Sequence, residues 1–398
     1  MIKLVPYGGL ANRMKAIDSA CLLAKDTSSQ LNIVWYKDKG LNCRFDELFL
    51  PINTASIKLR EATLKDYILY DRPRKKNFYI PELFQQVLFK RRIREHQSTL
   101  LMRENFNYKE WATGSCHIAA CTYFYKSGEG IPFTMFRPIP KLVERINERT
   151  SSFNNHTYGI HIRRTDHILS IQESPTELFV EKMQAIIAEE PEANFYLASD
   201  SEEDKRLLKE HFPGRVLTHD KPVDRSSLEG MQEALVELYT LAKTKTIMGS
   251  SMSSFSKTAA QVGQIPFITV RKNEKILTVI VSTDNSSALI IKSIESIRRS
   301  TLSTDVWIMT TDPHISALNT VKRNYPKAFF VRNGDTNLEQ TTRLALVMAN
   351  EEDYAYLILA KAGTNIPPTY ISNIVRKEGR KSAKKSGEPF VTIIESEE

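Results

Sequence analysis

Short apolar runs alternate with one-sided helical patterns along most of the chain. The run 2–6 (IKLVP) predicts a strand, the apolar spacing over 10–25 predicts a helix, and 31–36 (LNIVWY) predicts a second strand. The short connections between these elements indicate a βαβ unit and therefore a parallel sheet. The pattern from 40 to 150 is irregular, and we expect helical and loop insertions there.

The alternation becomes regular after residue 157 and predicts a second, doubly wound domain. Its strands are predicted at 157–162, 194–198, 215–218, 244–248 and 265–270. Its helices are predicted at 175–190, 201–211, 228–243 and 253–262.

A polar stretch at 271–275 is the predicted linker to a third α/β run. Strands are predicted there near 276–282, 305–310, 327–331 and 354–359, with helices near 286–299, 314–324 and 336–350. The last dozen residues are predicted to be disordered. The predicted domains are therefore 1–150, 151–270 and 276–385.

The composition, 41% apolar and 26% charged residues in a chain of 398, is typical of a globular protein, and no apolar run could span a bilayer. No signal peptide is visible, so we expect a location in the cytoplasm or on the inner face of the membrane. Four cysteines are too few for a disulfide framework. The spacing of Cys116, His117 and Cys121 fits no standard zinc pattern, which favours buried thiols over a metal site.

The net charge of +8 is concentrated in two segments. Residues 70–103 carry +6 and residues 376–385 carry +5, so the rest of the chain is slightly acidic. This distribution argues against a nucleic-acid-coating protein. Two interpretations of the patches stay open. One is a solvated face and a tail, and the other is a surface for an anionic lipid, an acidic acceptor or a protein partner.

The segment 161–166 (HIRRTD) places two adjacent arginines at the end of a predicted buried strand, where ligands bind in open α/β sheets. Arg163 and Arg164 repel each other unless an anion is present, and the planar guanidinium matches phosphate oxygens. The pattern therefore predicts a diphosphate site, with Asp166 holding one guanidinium. The alternative is an Arg–Asp network that ties loops together.

Polar residues also follow two neighbouring strands. Asp200 follows the strand 194–198, and 249–254 (GSSMSS) opens a predicted helix, where hydroxyl and N–H groups can bind an anion. Both clusters have an alternative role as helix caps, which is the more typical one for Asp200. The N-terminal segment 8–13 (GGLANR) lacks the third glycine of the dinucleotide fingerprint and the Lys-Ser/Thr of a P-loop.

Four motifs together resemble the fucosyltransferase superfamily: GGLANR, HIRRTD, FYLASD and VELYTLAKTKTIMGSSMSSFS, in this order over residues 1–270. The resemblance implies an α/β fold with a GT-B-like pair of Rossmann-type domains. It further implies GDP-fucose as the donor, inversion at the anomeric carbon, and neither a metal nor another cofactor. Arg163 resembles the arginine that grips the β-phosphate, and Glu237 stands where the family usually has an aspartate that binds guanine. The other donor-binding residues implied are Gly9, Asn12, Arg13, His161, Arg164, Asp200, Ser251, Ser253 and Ser254.

The catalytic base is the least defined role in this scheme. In the α1,6 branch a glutamate follows the motif's aspartate by five residues, but this chain has Ile171 there. We therefore predict Glu173 as the catalytic base. Asp166 is the second candidate, although pairing with arginine would make it a weak base. A purely structural role for Glu173 before Pro175 is the alternative. Arg163, Glu173 and Asp166 are therefore the predicted catalytic residues.

The third segment contains LTVIVSTDNSSALIIKSIESI, RNGDTN and LILAKAGTNIPPTYI. With these stretches it resembles the nucleotide-binding half of GT-A, family-2-like glycosyltransferases, and we expect it to lack that family's acceptor-binding half. Ala360, Lys361 and Ala362 stand where that family has its metal-binding Asp-x-Asp, so we expect a non-catalytic domain for packing, oligomerisation or acceptor presentation. A generic α/β fold is the alternative.

The sequence thus predicts an inverting, metal-independent transferase that moves fucose from GDP-fucose to a glycan hydroxyl. Two alternatives stay open: a different nucleotide-sugar donor, and an inactive glycan-binding or scaffold protein.

Overall fold

A computed structural model describes the chain except for residues 53, 70–78, 127–131, 165–167, 220–225, 335–336, 380–388 and 395–398. The chain forms two compact units. One comprises Met1–Met102 and Asn107–Lys272, and the other comprises Arg103–Phe106 and Asn273–Glu398. The first unit holds two five-stranded sheets and the second unit holds one, and the strand pairs within all three are parallel.

The first sheet has the order β3-β2-β1-β5-β4. Its strands are Ile2–Pro6 (β1), Leu31–Trp35 (β2), Ile57–Glu61 (β3), Arg91–Ile93 (β4) and Cys116–Ala120 (β5). Its helices are Leu10–Asp26 (α1), Leu64–Leu69 (α2), Tyr79–Leu88 (α3), Glu95–Arg103 (α4), Tyr108–Trp111 (α5) and Pro140–Thr150 (α6). The predicted βαβ unit is confirmed, and β1 is buried along its whole length as the central strand.

The prediction of only helical and loop insertions over 40–150 was wrong, because β3, β4 and β5 lie there. Each strand departs from the expected apolar pattern. β3 is an edge strand with alternating charged residues, β4 has three residues, and β5 (CHIAA) contains His117 and two alanines. The side chain of His117 packs beside Phe89, with ring centroids 5.2 Å apart.

The second sheet has the order β10-β9-β6-β7-β8. Its strands are Thr157–Ile162 (β6), Asn194–Ser199 (β7), Val216–Thr218 (β8), Ile247–Ser250 (β9) and Phe267–Val270 (β10), all as predicted within a few residues. Its helices are Ile168–Glu173 (α7), Thr176–Glu189 (α8), Glu202–His211 (α9), Leu228–Leu241 (α10) and Ser254–Gly263 (α11), of which α7 was not predicted. The strand order reverses between β6 and β9, and open α/β sheets bind ligands at such a switch point.

The third sheet has the order β13-β12-β11-β14-β15. Its strands are Ile276–Ser282 (β11), Asp305–Thr310 (β12), Phe329–Arg332 (β13), Tyr356–Lys361 (β14) and Phe390–Ile394 (β15). Its helices are Ser287–Arg298 (α12), Asn319–Asn324 (α13), Leu338–Glu351 (α14) and Tyr370–Gly379 (α15), with a 3-10 turn at Ser316–Leu318. The prediction of a disordered end was wrong for β15, which pairs with β14. Within the described ranges, no helix has the length and hydrophobicity needed to cross a membrane.

Candidate active site

The carboxyl ends of β6, β7 and β9 form one edge of the second sheet. Register pairs join His161 to Ala198 on one side and to Gly249 on the other. The arginine motif, Asp200 and the serine-rich loop therefore leave three adjacent strands side by side.

Neighbouring strands hold the backbone after β6 from both sides. The N–H of Arg163 donates to Oγ of Ser250 at 3.1 Å, and the N–H of Arg164 donates to Oδ1 of Asp200 at 2.7 Å. Ser250 and Asp200 thus fix where the chain leaves the sheet. The side chain of Arg163 is half-buried at this edge.

The guanidinium of Arg164 is bound within the protein. Its Nε lies 2.9 Å from Oδ2 of Asp204, and its Nη2 donates to Oγ1 of Thr176 at 2.8 Å. These partners stand at the starts of α9 and α8. Arg164 therefore ties two helices to the loop. This is the structural role that the sequence left open as the alternative to a diphosphate site, and the carboxylate involved is Asp204. Asp166 lies outside the described residues.

The serine-rich loop runs from the end of β9 into α11. Ser251 is anchored through its backbone: its N–H donates to Oγ of Ser174 at 2.8 Å, and its carbonyl accepts from Oγ of Ser170 at 2.7 Å. Met252 adopts a positive φ of 60° and turns the chain toward the helix. Ser253 occupies the N-cap position, and its side chain makes no capping hydrogen bond. Together with Ser254, the first residue of α11, it leaves a helix N-terminus of the kind that binds anions.

His161 lies beneath this loop. Its Nδ1 is 3.4 Å from Oγ of Ser253, and its ring centroid is 5.1 Å from that of Phe255. Burial lowers the pKa of His161 to about 4; the carboxylate of Asp200 opposes this shift and the charge of Arg163 adds to it. The imidazole is therefore neutral at pH 7 and adds no charge next to the arginine.

Glu237 of α10 is 5% exposed, and within the described part of the chain its carboxyl has no hydrogen-bond or ion-pair partner. Burial, and then the nearby carboxylate of Glu233, raise the pKa of Glu237 to about 8. Glu233, one turn earlier, pairs instead with Arg145 and Arg149 of α6. Asp200 also raises the pKa of Glu237, which connects this carboxyl electrostatically to the strand-end edge.

Glu173, the predicted base, ends α7 close to the end of β10. One of its carboxylate oxygens lies 3.1 Å from Nη2 of Arg271, and its carbonyl accepts from the N–H of Lys272. The structure thus places Glu173 near the strand-end edge but gives it a structural partner.

The segment 8–13 forms the corresponding strand end of the first sheet. Gly8 has a φ of +89°, which favours glycine, and Gly9 begins α1 as its N-cap. Asn12 is partly exposed, whereas Arg13 is 0% exposed. Arg13 donates from Nε to the carbonyl of Gly8 at 2.9 Å and pairs through Nη2 with Asp38, also at 2.9 Å. Arg13 therefore holds the loop together instead of presenting its charge to a ligand.

Sequence reasoning missed several residues that support this site. Glu233 is separated from Glu237 by one helical turn, a spacing that could have signalled the pair. Three hydroxyl groups and one carboxylate that anchor the loops carry no comparable sequence signal: Ser170, Ser174, Thr176 and Asp204. No group of three or more potential metal ligands occurs in the portion of the chain that the structure describes.

No protein-family profile matches the chain, and no curated protein matches it in sequence. Among solved structures, the fucosyltransferase NodZ from Bradyrhizobium is 18% identical with a TM-score of 0.47, covering 65% of this chain and 91% of NodZ. Arabidopsis thaliana FUT1, solved with GDP, is 14% identical with a TM-score of 0.47, covering 69% of this chain and 71% of FUT1. POFUT1 with GDP-fucose is 10% identical with a TM-score of 0.40, covering 68% of this chain and 97% of POFUT1. Similarity at this level assigns neither a family nor an activity to the chain.

Proposed function

We propose that the chain is a glycosyltransferase with a GT-B-like pair of domains, and that GDP-fucose is its donor. Residues 151–270 would bind the donor, and residues 1–150 would supply the acceptor side. The acceptor class is a glycan hydroxyl. The transfer would invert the anomeric centre without a metal, which rests on the motif resemblance.

The observation that carries the proposal is the position of Arg163 beside the open N-terminus of α11. Ser250 joins the two, because it accepts from the N–H of Arg163 and ends the strand that leads into the serine loop. A guanidinium and a helix N-terminus are two independent anion-binding features. Their meeting at a topological switch point suits a diphosphate.

Glu237 provides a further argument for a purine with adjacent N–H donors. A buried carboxyl without a partner carries a high desolvation penalty, which a ligand donating two hydrogen bonds would relieve. Guanine offers N1–H and N2–H on one edge. Whether this site accepts guanine distinguishes a GDP-sugar donor from donors built on another nucleotide.

In the proposed reaction, an acceptor hydroxyl attacks the anomeric carbon while the bond to the diphosphate breaks. Arg163 and the amide groups of α11 would stabilise the charge that grows on the departing GDP. A carboxylate would accept the hydroxyl proton. Glu173 can serve only if its ion pair with Arg271 loosens when substrates bind, and Asp166 remains the second candidate.

The test measures GDP and UDP binding by calorimetry, together with transfer from GDP-fucose to a panel of glycans. We expect GDP to bind more tightly than UDP, and Arg163→Ala to weaken GDP binding about 10- to 100-fold. Arg206→Ala is the matched control, because Arg206 is an exposed arginine of α9 that, among the described residues, pairs only with Glu210. Preferred UDP binding would contradict a GDP donor, and unchanged activity in Arg163→Ala would contradict the site. GDP binding without transfer to any glycan would favour an inactive scaffold.

The second unit carries a separate proposal of a non-catalytic domain. β14 ends at Lys361, an exposed cation where GT-A enzymes have metal-binding carboxylates. A truncated chain that ends before Asn273 should therefore keep GDP binding, provided that circular dichroism shows the first unit to fold alone.

A further inference from the structure

A cavity of about 690 Å³ lies on one face of the first sheet. Its floor contains Lys3 of β1, Asn32 of β2 and Lys58 of β3, which are register partners across three adjacent strands. These residues belong to the amino-terminal halves of their strands. The cavity is therefore separated from the strand-end segment that contains Gly8.

Cations outnumber acids around this cavity. Lys3, Lys58 and Arg60 line it, and the nearby acid is Asp66, which lies 3.6 Å from Nζ of Lys3 and 2.7 Å from Nη1 of Arg60. Lys58 has no hydrogen-bond or ion-pair partner within the described residues, and its side chain is exposed. Among the described lining residues three side chains are cationic and none is a carboxylate, and Asp66 pairs with two of the three cations, which leaves a net positive site for an anion.

The row of register partners formed by Lys58, Asn32 and Lys3 continues across the rest of the sheet with further basic residues. Lys3 is paired in register with His117 of β5, which in turn pairs with Arg92 of β4. Burial and these two charges lower the pKa of His117 to about 3, so it stays neutral at pH 7. No residue of this row, from Lys58 on β3 to Arg92 on β4, carries a carboxylate.

The remaining walls are apolar and lead onto an exposed helix. Leu88 and Phe89, at the end of α3, line the cavity. On α3 the exposed fractions are 58% for Leu83, 42% for Phe84, 84% for Val87 and 46% for Leu88. The spacing of these four residues places them on one side of the helix. This apolar stripe is thus continuous with the cavity wall at Leu88.

We propose that the cavity and the apolar stripe of α3 form a binding site for an anionic amphiphile, with its phosphate at Lys58 and Lys3 and its chain along the stripe. The charge of the floor selects an anion, and the exposed apolar side chains need a hydrophobic partner to cover them. The size is that of a typical small-ligand site. The proposal does not depend on the proposed transferase activity.

The probe is monododecyl phosphate, titrated below its critical micelle concentration into the full chain and followed by calorimetry. We expect saturable binding that Lys58→Glu weakens about tenfold or more and that Val87→Ser weakens about threefold. Lys182→Glu and Val347→Ser are the matched controls, because Lys182 is exposed on α8 and Val347 is 51% exposed on α14. Both should bind like the unmodified chain.

Two comparison ligands, inorganic phosphate and dodecyl maltoside, and a vesicle sedimentation assay distinguish the possible results. Equal binding of inorganic phosphate, or equal binding of neutral dodecyl maltoside, would overturn the proposal, as would binding that Lys58→Glu leaves unchanged. Sedimentation with phosphatidylglycerol vesicles but not with phosphatidylcholine vesicles would support it and identify a bilayer lipid as the source. Binding of dodecyl phosphate without vesicle sedimentation would also support the proposal, and it would indicate that the ligand is taken from solution. An unchanged circular dichroism spectrum and urea-unfolding midpoint in Lys58→Glu would show that the variant is folded.

Discussion

The backbone N–H of Arg163 donates a hydrogen bond to Oγ of Ser250, 3.1 Å away. The same hydroxyl lies 3.4 Å from the carbonyl of His161, to which it donates. One serine thus joins the ends of β6 and β9 where the strand order reverses. The position of Arg163 relative to α11 depends on this contact.

Replacing Ser250 by alanine should therefore weaken GDP binding while Arg163 stays in the chain. The loss of a buried hydrogen-bond partner should lower the free energy of unfolding by about 1–2 kcal/mol. Calorimetry and urea unfolding measure the two effects. Ser151→Ala is the control and should change neither, because Ser151 is exposed and its hydroxyl donates to the carbonyl of Glu148 at the end of α6. Normal GDP affinity in Ser250→Ala would show that Arg163 does not need this anchor.

Glu237 should make both stability and ligand binding depend on pH. Its pKa in the folded protein is about 8, above the ordinary value of 4.5, so the folded state holds more protons than the unfolded state between these values. The free energy of unfolding should therefore decrease as pH rises from about 4.5 to about 8. In Glu237→Gln this contribution disappears, and the variant should be more stable than the unmodified chain at pH 8, by on the order of 1–3 kcal/mol.

The pH dependence of GDP binding should have the opposite sign to that of stability, because the guanine N–H groups need the ionised carboxylate of Glu237 as acceptor. Affinity for GDP should rise as pH approaches 8 and should release a proton, which calorimetry in buffers of different ionisation enthalpy measures. Glu237→Gln should bind GDP with little dependence on pH. An affinity that is flat from pH 6 to pH 8 in the unmodified chain would exclude Glu237 as the guanine acceptor.

Gly249→Ala should destabilise the first unit. A Cβ atom at this position would clash with Oγ of Ser256 and lie 2.8 Å from Cε2 of Phe267, and both groups are packed around the turn into α11. We expect a loss of about 1–3 kcal/mol in the free energy of unfolding. Gly334→Ala provides the comparison, because a Cβ there would meet nothing within 4 Å. Equal stability of the two variants would mean that the turn can shift to accept a side chain.

Arg13→Lys should lower the free energy of unfolding even though the charge is kept. A lysine cannot reproduce the fork that reaches the carbonyls of Gly8 and Tyr36 together with Asp38. The expected loss is about 2–4 kcal/mol, measured by denaturant unfolding. Lys25→Arg, at the exposed end of α1, should be neutral. If GDP affinity fell in Arg13→Lys while stability did not, a direct contact with the donor would be the better explanation.

Hydrophobic periodicity was sufficient to locate most strands and helices in the sequence. Apolar runs such as 276–282 fill a central strand that is buried on both faces. It failed for β3 to β5, where edge position, short length or small residues hide the pattern. It also failed for β15, whose partial exposure along its whole length reflects an edge strand and not disorder. These strands are specified by pairing with neighbours that are distant in sequence.

For the candidate site, sequence order alone brought the motifs to one edge of the sheet, because the carboxyl ends of neighbouring parallel strands lie side by side. It could not decide which charged groups are bound by side chains from other elements. Arg163 and Arg164 are adjacent in sequence, yet Asp204 and Thr176 bind the guanidinium of Arg164. Likewise, Arg149 pairs with Glu233 and leaves Glu237 without a partner among the described residues.

The sequence by itself determined that the chain builds parallel α/β sheets and that its arginine and serine motifs follow strands of the second sheet, because both properties depend on local patterns. The tertiary structure alone decided that Arg13 is enclosed, that the carboxyl of Glu237 holds its proton at neutral pH, and that a cationic cavity opens beside α3. Burial and the choice of an ion-pair partner depend on contacts between segments far apart in the chain, and these contacts leave no periodic signal in the sequence.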